Sequence, residues 1–275
     1  MPTRMNATAA EQDLYDVKIV DTLKVLHLSG MRTEYERQKD NLEEFGNMPF
    51  AQRLAQMCTA QMDLRASNSL ERRLHKADLV YPVACLEKVA TLKTRTMNME
   101  QYRQLGTCDF IRQGSHISFE GAAGTGKSYL ACAIGNAACR KGYNVRYTRL
   151  PDLLNELKGA RVQCEVTKVR NAYLKYNLVI IDDWLLRPVG SDLSFELLDI
   201  IDAWLGKTSL ILCSQYAHSE WYRRIDCDRP TNTSSTLAEA ILDRIIHQMT
   251  TMTLETVGSL RKQYSSNGEA LNNAQ

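Results

Sequence analysis

Up to Pro82 the apolar residues fall at helical spacing, and beyond Phe110 they gather into short runs separated by helical stretches. In the first region Ile19, Val20, Leu23 and Leu26 share one face of a helix that ends near Gly30. A polar helix from Arg32 to Phe45, rich in both charge signs, follows it. Asn47-Met-Pro introduces a third, with Phe50, Leu54, Met57, Cys58 and Leu64 at helical intervals. Its continuation from Arg65 to Lys76 sets Arg72, Arg73 and Lys76 around Leu70 and Leu74, and Pro82 breaks it. In the second region strands are expected at Ile117–Phe119, Val145–Thr148, Leu178–Ile181, Leu210–Cys213 and Met252–Leu254. Their alternation with helices describes a parallel sheet covered on both faces. Thr91 to Thr107 reads as the connection. The predicted organisation is a helical N-terminal domain over 1–97, an α/β domain over 98–262 and a polar tail over 263–275.

Composition adds little to this picture but removes several classes. The 275 residues are 44% hydrophobic and 24% charged, ordinary for a globular protein. A formal net charge of +2 neither indicates nor excludes a nucleic-acid partner. No apolar run approaches the length that spans a bilayer, and the N-terminus lacks the apolar core of a secretory signal. The expected location is therefore cytoplasmic, with no membrane partner. The eight cysteines contain no C-x-x-C pair and none sits near clustered histidines, so most read as small buried hydrophobes in a reducing compartment.

The chemistry concentrates in GAAGTGKSYLACAIGNAACRKG, Gly121 to Gly142. Its first eight residues fit G-x-x-x-x-G-K-[ST], the phosphate-cradling loop. A short alternating run, His116 to Phe119, ends at Glu120 before it, and Leu130, Ala133, Ile134, Ala137 and Ala138 recur at helical spacing behind it. The glycines let successive amides point inward at phosphate oxygens, and the helix N-terminus adds partial positive charge there. In such a loop Lys127 reaches the β- and γ-phosphates and the Ser128 hydroxyl is a magnesium ligand. Gly121, Ala122, Ala123, Gly124, Thr125, Gly126, Lys127, Ser128 and Tyr129 are thus the expected nucleotide contacts.

Four further stretches extend the site. LVIIDDW, Leu178 to Trp184, is an apolar strand whose end delivers two carboxylates to the edge where ligands of open α/β sheets collect. Asp182 is expected to hold magnesium through water and Asp183 to orient or deprotonate the attacking water; capping of the next turn is the competing use of such a pair. SLILCSQY ends in Ser214 and Gln215, either of which could sense the γ-phosphate. STLAEAILDRIIHQ reads as a serine-capped helix with Leu237, Ile241 and Ile245 on its core stripe and Arg244 beside it. Arg244 is open to two readings, a solvated arginine or a finger reaching the phosphate of a neighbouring subunit. Arg261 in GSLRK could touch phosphates of its own subunit.

With these residues in place the chain resembles the IstB-like transposition helper ATPases, a branch of the AAA+ proteins close to the DnaC helicase loaders. The resemblance runs from LKVLHLSGM to SLRK and includes LAEAILDRIIH, which matches the family's arginine-finger segment almost letter for letter. It implies an AAA+ P-loop NTPase with a parallel five-stranded sheet after a small all-helical domain. It also implies ATP and Mg2+ as cofactors, Lys127 and Ser128 in Walker A, and Asp182 and Asp183 in Walker B. Ser214 or Gln215 becomes sensor 1, Arg244 the trans finger and Arg261 sensor 2. Ala122 and Ala123 replace the family's usual diproline, and Asp226 to Thr236 is longer than the usual link. Asp183 stands where related ATPases more often carry Glu, and its shorter reach points to slow hydrolysis.

Between the second strand and Walker B, two short helices carry Lys158, Arg161, Lys168 and Arg170, which the resemblance identifies with a DNA-facing helical insertion. Such cations neutralise phosphates without reading bases; a solvated helix face is the plain alternative. The expectation is a slow ATPase, stimulated by DNA and self-assembly, that oligomerises as a ring or helical filament on duplex DNA and assists a transposase. Two alternatives share its motifs: a DnaC-like helicase loader, and an ATP-gated DNA-binding scaffold with little turnover.

Overall fold

The computed structural model describes residues 9–87, 99–225, 227–228 and 236–255. The chain divides into two compact units, 1–71 and 72–275.

In the first, α1 (Ala9–Val25), α2 (Ser29–Asp40) and α3 (Leu42–Phe45) precede α4 (Phe50–Ala77), whose residues from Arg72 count with the second unit. The expected stop at Gly30 is not one: α1 ends at Val25, and Gly30 lies buried inside α2. Glycine is required there by close approach, because a Cβ would stand 2.8 Å from both Ala60 O and Gln61 Cα. No side chain of α2's own sequence caps it. Gln61 does so from α4, its Oε1 accepting the N–H groups of Gly30 at 2.9 Å and Met31 at 3.3 Å, donors that a helix start leaves open. The helix expected from Arg32 to Phe45 breaks at Asn41. Buried Gln38 donates to Glu34 Oε1 at 2.9 Å and accepts from Arg53 Nε at 3.2 Å. Asp16 binds Lys39 at 2.7 Å and the Tyr35 hydroxyl; Lys39 first, then Tyr35, holds its carboxyl below the usual range. Polar ties thus carry much of the packing here, while Leu14, Tyr15, Val17 and Val25 of α1, and Leu26 just after it, stay exposed.

In the second unit the residues after Arg72, assigned to the helical domain from sequence, pack with the α/β part. Arg73 Nε donates to Cys139 O at 3.0 Å, Asn136 Nδ2 to Pro82 O at 2.8 Å, and Arg146 pairs with Asp78 at 3.1 Å. The expected connection contains a helix, α5 (Met99–Thr107), followed by α6 (Asp109–Gln113). Then come β1 (His116–Glu120), α7 (Lys127–Arg140), β2 (Val145–Arg149), α8 (Leu150–Val162), α9 (Val166–Tyr173) and β3 (Leu178–Trp184). After them lie α10 (Ser191–Trp204), β4 (Ser209–Ser214), α11 (His218–Trp221), α12 (Thr236–Ile246) and β5 (Met249–Thr253). The fifth strand starts earlier than expected because α12 ends at Ile246 and Met249 already pairs with His116. The proposed cap Ser235 lies outside the described residues.

The sheet is parallel throughout, in the order β2-β3-β4-β1-β5. Val179, Ile181, Leu210 and Leu212 pack with Leu153, Leu197, Ile201, Ile241 and Ile245 in one apolar core, so both central strands read as unbroken hydrophobic runs. Cys108, Cys132, Cys139 and Cys213 are buried, but Cys58, Cys164 and Cys227 are exposed, so burial is not the fate of most cysteines. Cys164 sits at positive φ in the turn between α8 and α9, where the chain faces water. Among the described residues no helix is long and apolar enough to cross a membrane.

His116 is the buried exception in β1. Its Nδ1 accepts the Leu210 N–H at 3.1 Å, and burial pushes its pKa down to about 4 from 6.5. The unfolded chain therefore binds the extra proton between those values, so this contribution is complete above pH 6.5 and is lost as pH falls toward 4. His116→Asn keeps an acceptor for Leu210 and cannot titrate. Urea titrations across that window should show a shallower loss of stability in the variant; an unchanged slope would remove His116 from the acid response.

Candidate functional site

A cavity of about 640 Å3 opens at the C-terminal edge of the sheet, within the range of small-molecule sites. Ala123, Gly124 and Gly126 line it from the loop between β1 and α7, and Lys127, Ser128 and Tyr129 from the first turn of α7; Asp182 and Asp183 come from the end of β3, Leu186 from the turn after it, and Cys213 and Gln215 from the end of β4. Tyr81 and Arg149 complete it.

The loop is shaped by its glycines and by β5. Gly124 and Gly126 have φ of 85° and 81°, and Gly126 opens α7. Gly121 has φ of 148°, and a Cβ there would stand 2.3 Å from Leu254 O, so the chain leaving β5 presses on the loop's first residue. Leu254 N–H donates to Glu120 O at 2.7 Å, holding that approach. Lys127 is largely buried and donates to Gly121 O at 2.6 Å and Ala122 O at 2.8 Å, so its ammonium is held over the loop. Thr125 Oγ1 donates to Ala122 O at 3.0 Å. Gly121, Ala122 and Thr125 thus shape the cradle from behind, while the other loop residues named from sequence face the cavity.

Strand β3 delivers the two aspartates differently. Between Ile181 and Trp184 the register with β4 shifts, and Asp183 has φ of 52°. Such a bulge re-aims side chains that strict alternation would send to opposite faces. Buried Asp182 accepts the Tyr147 hydroxyl at 2.7 Å through Oδ2 and the Asp183 N–H at 2.9 Å through Oδ1. Burial first, then the Asp182 charge, raises the Tyr147 hydroxyl far above its ordinary value, so Tyr147 stays a donor. A carboxylate has about four lone-pair sites, so Asp182 keeps acceptor capacity toward the cavity. Asp183 Oδ2 takes Arg149 Nη2 at 2.6 Å and Nε at 2.8 Å. The Asp183 hydrogen bond is the first cause of a raised Arg149 pKa.

The two sensor candidates separate. Gln215 is exposed at the cavity, whereas Ser214 is buried and does not line it. Ser214 Oγ donates to Trp184 O at 3.1 Å and accepts from Tyr216 N–H and Trp221 Nε1–H, both at 3.1 Å. Arg244 stands apart from the cavity on α12, half-buried, bound to Asp202 of α10 and to Ala240 O at 2.6 Å. Arg261 lies outside the described residues. On α8 and α9, Lys158 is exposed, Arg161 pairs with Glu196 at 2.9 Å, Lys168 with Glu165 at 3.2 Å, and Arg170 is half-buried.

Arg149 and Tyr81 were not singled out from sequence. The signal available for Arg149 was a charged residue directly after the strand expected at Val145–Thr148; the structure extends that strand by one residue and pairs Arg149 in register with Asp182. Tyr81 gave none, since its place near the loop is tertiary; its ring lies 5.6 Å from that of Tyr129.

The residues present fit a nucleotide with its magnesium: a glycine-shaped loop at a helix N-terminus, a buried lysine, a hydroxyl and a carboxylate with lone pairs to spare converge on one cavity. A family model described as IstB-like ATP binding protein matches residues 21–268. A Sinorhizobium fredii protein that bears the name of an insertion sequence ATP-binding protein is 31% identical over 228 residues, 83% of this chain and 88% of its own length. A Pseudomonas fluorescens ATP-binding protein of insertion sequence IS1162 is 34% identical over 201 residues, 72% of this chain and 87% of its own. Among solved structures, AMPPCP-bound DnaA from Aquifex aeolicus superposes with TM-score 0.51 at 21% identity, over 72% of this chain and 58% of that one. These likenesses bear out the AAA+ P-loop fold.

The different surroundings of Ser214 and Gln215 make opposite predictions. Ser214→Ala removes the acceptor of the part-buried Tyr216 N–H and the donor to Trp184 O, while Trp221 Nε1–H keeps Tyr216 O at 3.0 Å; it should cost about 1 kcal/mol, seen as a melting temperature lower by roughly 3 °C. Gln215→Ala should leave the melting temperature within about 1 °C, as exposed substitutions do. The reverse order in a thermal melt would contradict this assignment.

Proposed function

The chain belongs to the IstB-like ATP binding proteins, and from that membership we propose that it is an ATPase that assembles on duplex DNA and assists a transposase. The observation that carries the reading is the division of its polar side chains: Lys127, Ser128, Asp182 and Asp183 converge on the cavity while Arg244 stays outside it. An arginine that cannot serve its own site, on the surface of a helix packed against the same core, suits a finger that completes a neighbour's site.

In this reading the loop amides and Lys127 orient the triphosphate of ATP, and Gln215 contacts the γ-phosphate. Ser128 and Asp182 would hold magnesium, which when bound supplies charge neutralisation to the phosphates. Asp183 accepts a proton from the attacking water as the new P–O bond forms and the bond to the β-phosphate oxygen breaks. Its Oδ2 is shared with Arg149, and its side chain is one methylene shorter than glutamate, so turnover is slow. Arg261 remains proposed as a contact to phosphates of the same subunit. The exposed apolar residues of α1 offer the helical unit's surface to the transposase.

Arg149's hold on Asp183 favours a second reading, an ATP-gated DNA-binding scaffold with little turnover. Phosphate release measured against protein concentration, with and without duplex DNA, separates the two. Under the ATPase reading specific activity rises with both, Lys127→Ala and Arg244→Ala are each inactive, and mixing them restores turnover because one supplies the finger and the other the loop. A flat rate per subunit with a silent Arg244→Ala would leave a monomeric nucleotide site.

DNA contact is proposed for Lys158, Arg161, Lys168 and Arg170. Arg161 and Lys168 would exchange their carboxylate partners for phosphates, whereas exposed Lys158 has less to give up. Lys158→Ala should weaken binding uniformly across sequences and reduce the slope of log K against log salt by about 1. An unchanged slope would remove Lys158 from the interface.

A further inference from the structure

The turn after β3 is held in a backbone conformation that its residues disfavour. Asp183 and Leu185 both have φ of 52°, a region where a Cβ crowds the following carbonyl and which leucine enters less readily than aspartate. Such residues persist only where the surroundings over-determine them. Beside the Ser214 bond to Trp184 O, one side chain holds two of the turn's carbonyls. Arg224, in the segment after α11, donates from Nε to Leu185 O at 2.6 Å and from Nη2 to Leu186 O at 2.7 Å.

The same guanidinium lies 3.7 Å from the centre of the Tyr216 ring, and Tyr216 directly follows Gln215. Backbone bonds reinforce the junction: Val189 N–H donates to Arg224 O at 2.7 Å and Cys227 N–H to Val189 O at 3.1 Å, forming an isolated parallel bridge between Val189 and Ile225. Asp183 and Gln215 reach the cavity from two different strands, and Arg224 ties together the two loops that carry them.

We propose that Arg224 is a positioning residue for ATP hydrolysis, fixing the 183–186 turn so that Asp183 faces the cavity and setting that turn against Gln215. The proposal rests on the ATPase reading of the cavity. Arg224 acts through the Leu185 and Leu186 carbonyls, and Leu186 itself lines the cavity. The planar fork meets two adjacent carbonyls and an aromatic face at once, a set of contacts that an ammonium group does not reproduce.

The test compares full-length wild type, Arg224→Met, Arg224→Lys and Tyr216→Phe by three measurements: equilibrium binding of AMPPCP, steady-state phosphate release, and hydrogen exchange at the amides of residues 184–187. In Arg224→Met, AMPPCP affinity should stay within about threefold while kcat falls at least about tenfold at unchanged KM, as loss of a transition-state interaction requires. Exchange in the turn should accelerate, because its opening no longer breaks the Arg224 bonds. Arg224→Lys should recover only part of kcat, and Tyr216→Phe, which keeps the ring, should behave as wild type. Should Arg224→Met fail to fold, the lysine variant carries the same comparison. Wild-type kcat with unchanged exchange in the variants, or AMPPCP affinity lost in step with kcat, would overturn the proposal while leaving the ATPase reading intact. A wild type without Lys127-dependent phosphate release overturns both.

Discussion

Strand β3 carries one more residue than β4 between Ile181 and Trp184, and the site depends on how that excess is absorbed. In a regular strand two successive aspartates would point to opposite faces of the sheet, one of them into the apolar core. The bulge instead keeps both carboxylates at the edge: Asp182 on the Tyr147 hydroxyl and Asp183 on the Arg149 guanidinium. The bulge is held in turn by its neighbours. Ser214 Oγ bonds Trp184 O on one side, and Arg224 bonds the carbonyls of Leu185 and Leu186 on the other. The local strain is thus carried by interactions with the β4 loop, which binds the two nucleotide-facing edges into one unit.

The two units of the chain use different physics. The α/β unit has a continuous apolar core, from Leu153 on α8 to Ile245 on α12, into which the central strands run without polar interruption. The helical unit has few buried apolar side chains among its described residues and relies on Gln61, Gln38 and Asp16 as polar ties between helices. Individual hydrogen bonds of this kind contribute about 1 kcal/mol net, and their geometry fixes which helix faces meet more than how strongly. A unit built this way keeps apolar residues such as Val17 and Val25 for its surface, where a partner can use them.

Arginines recur at several junctions of the α/β unit, and their partners differ in kind. Arg224 serves backbone carbonyls, Arg149 serves a carboxylate at the cavity, and Arg244 rests on Asp202 away from it. The last two are partly exposed ion pairs, worth little as stability, so they can exchange partners at small cost. That property is what a phosphate-dependent site needs.

The phosphate loop, the strand ending in two aspartates and the alternating architecture were legible in the amino-acid pattern alone. Each of these is a local pattern: glycines where the backbone must turn, an apolar run where a strand is buried on both faces, periodicity where a helix meets a core. The sequence also placed Ser214 and Gln215 at one strand end, but it could not choose between them, because the choice depends on Trp184 and Trp221 arriving beside Ser214 from elsewhere in the chain. For the same reason Gly30 read as a helix stop when it is a contact point for α4, and Tyr81 gave no signal at all. These points follow from long-range contacts, since Trp184 lies 30 residues from Ser214 and Gln61 lies 31 from Gly30, separations that no local pattern records.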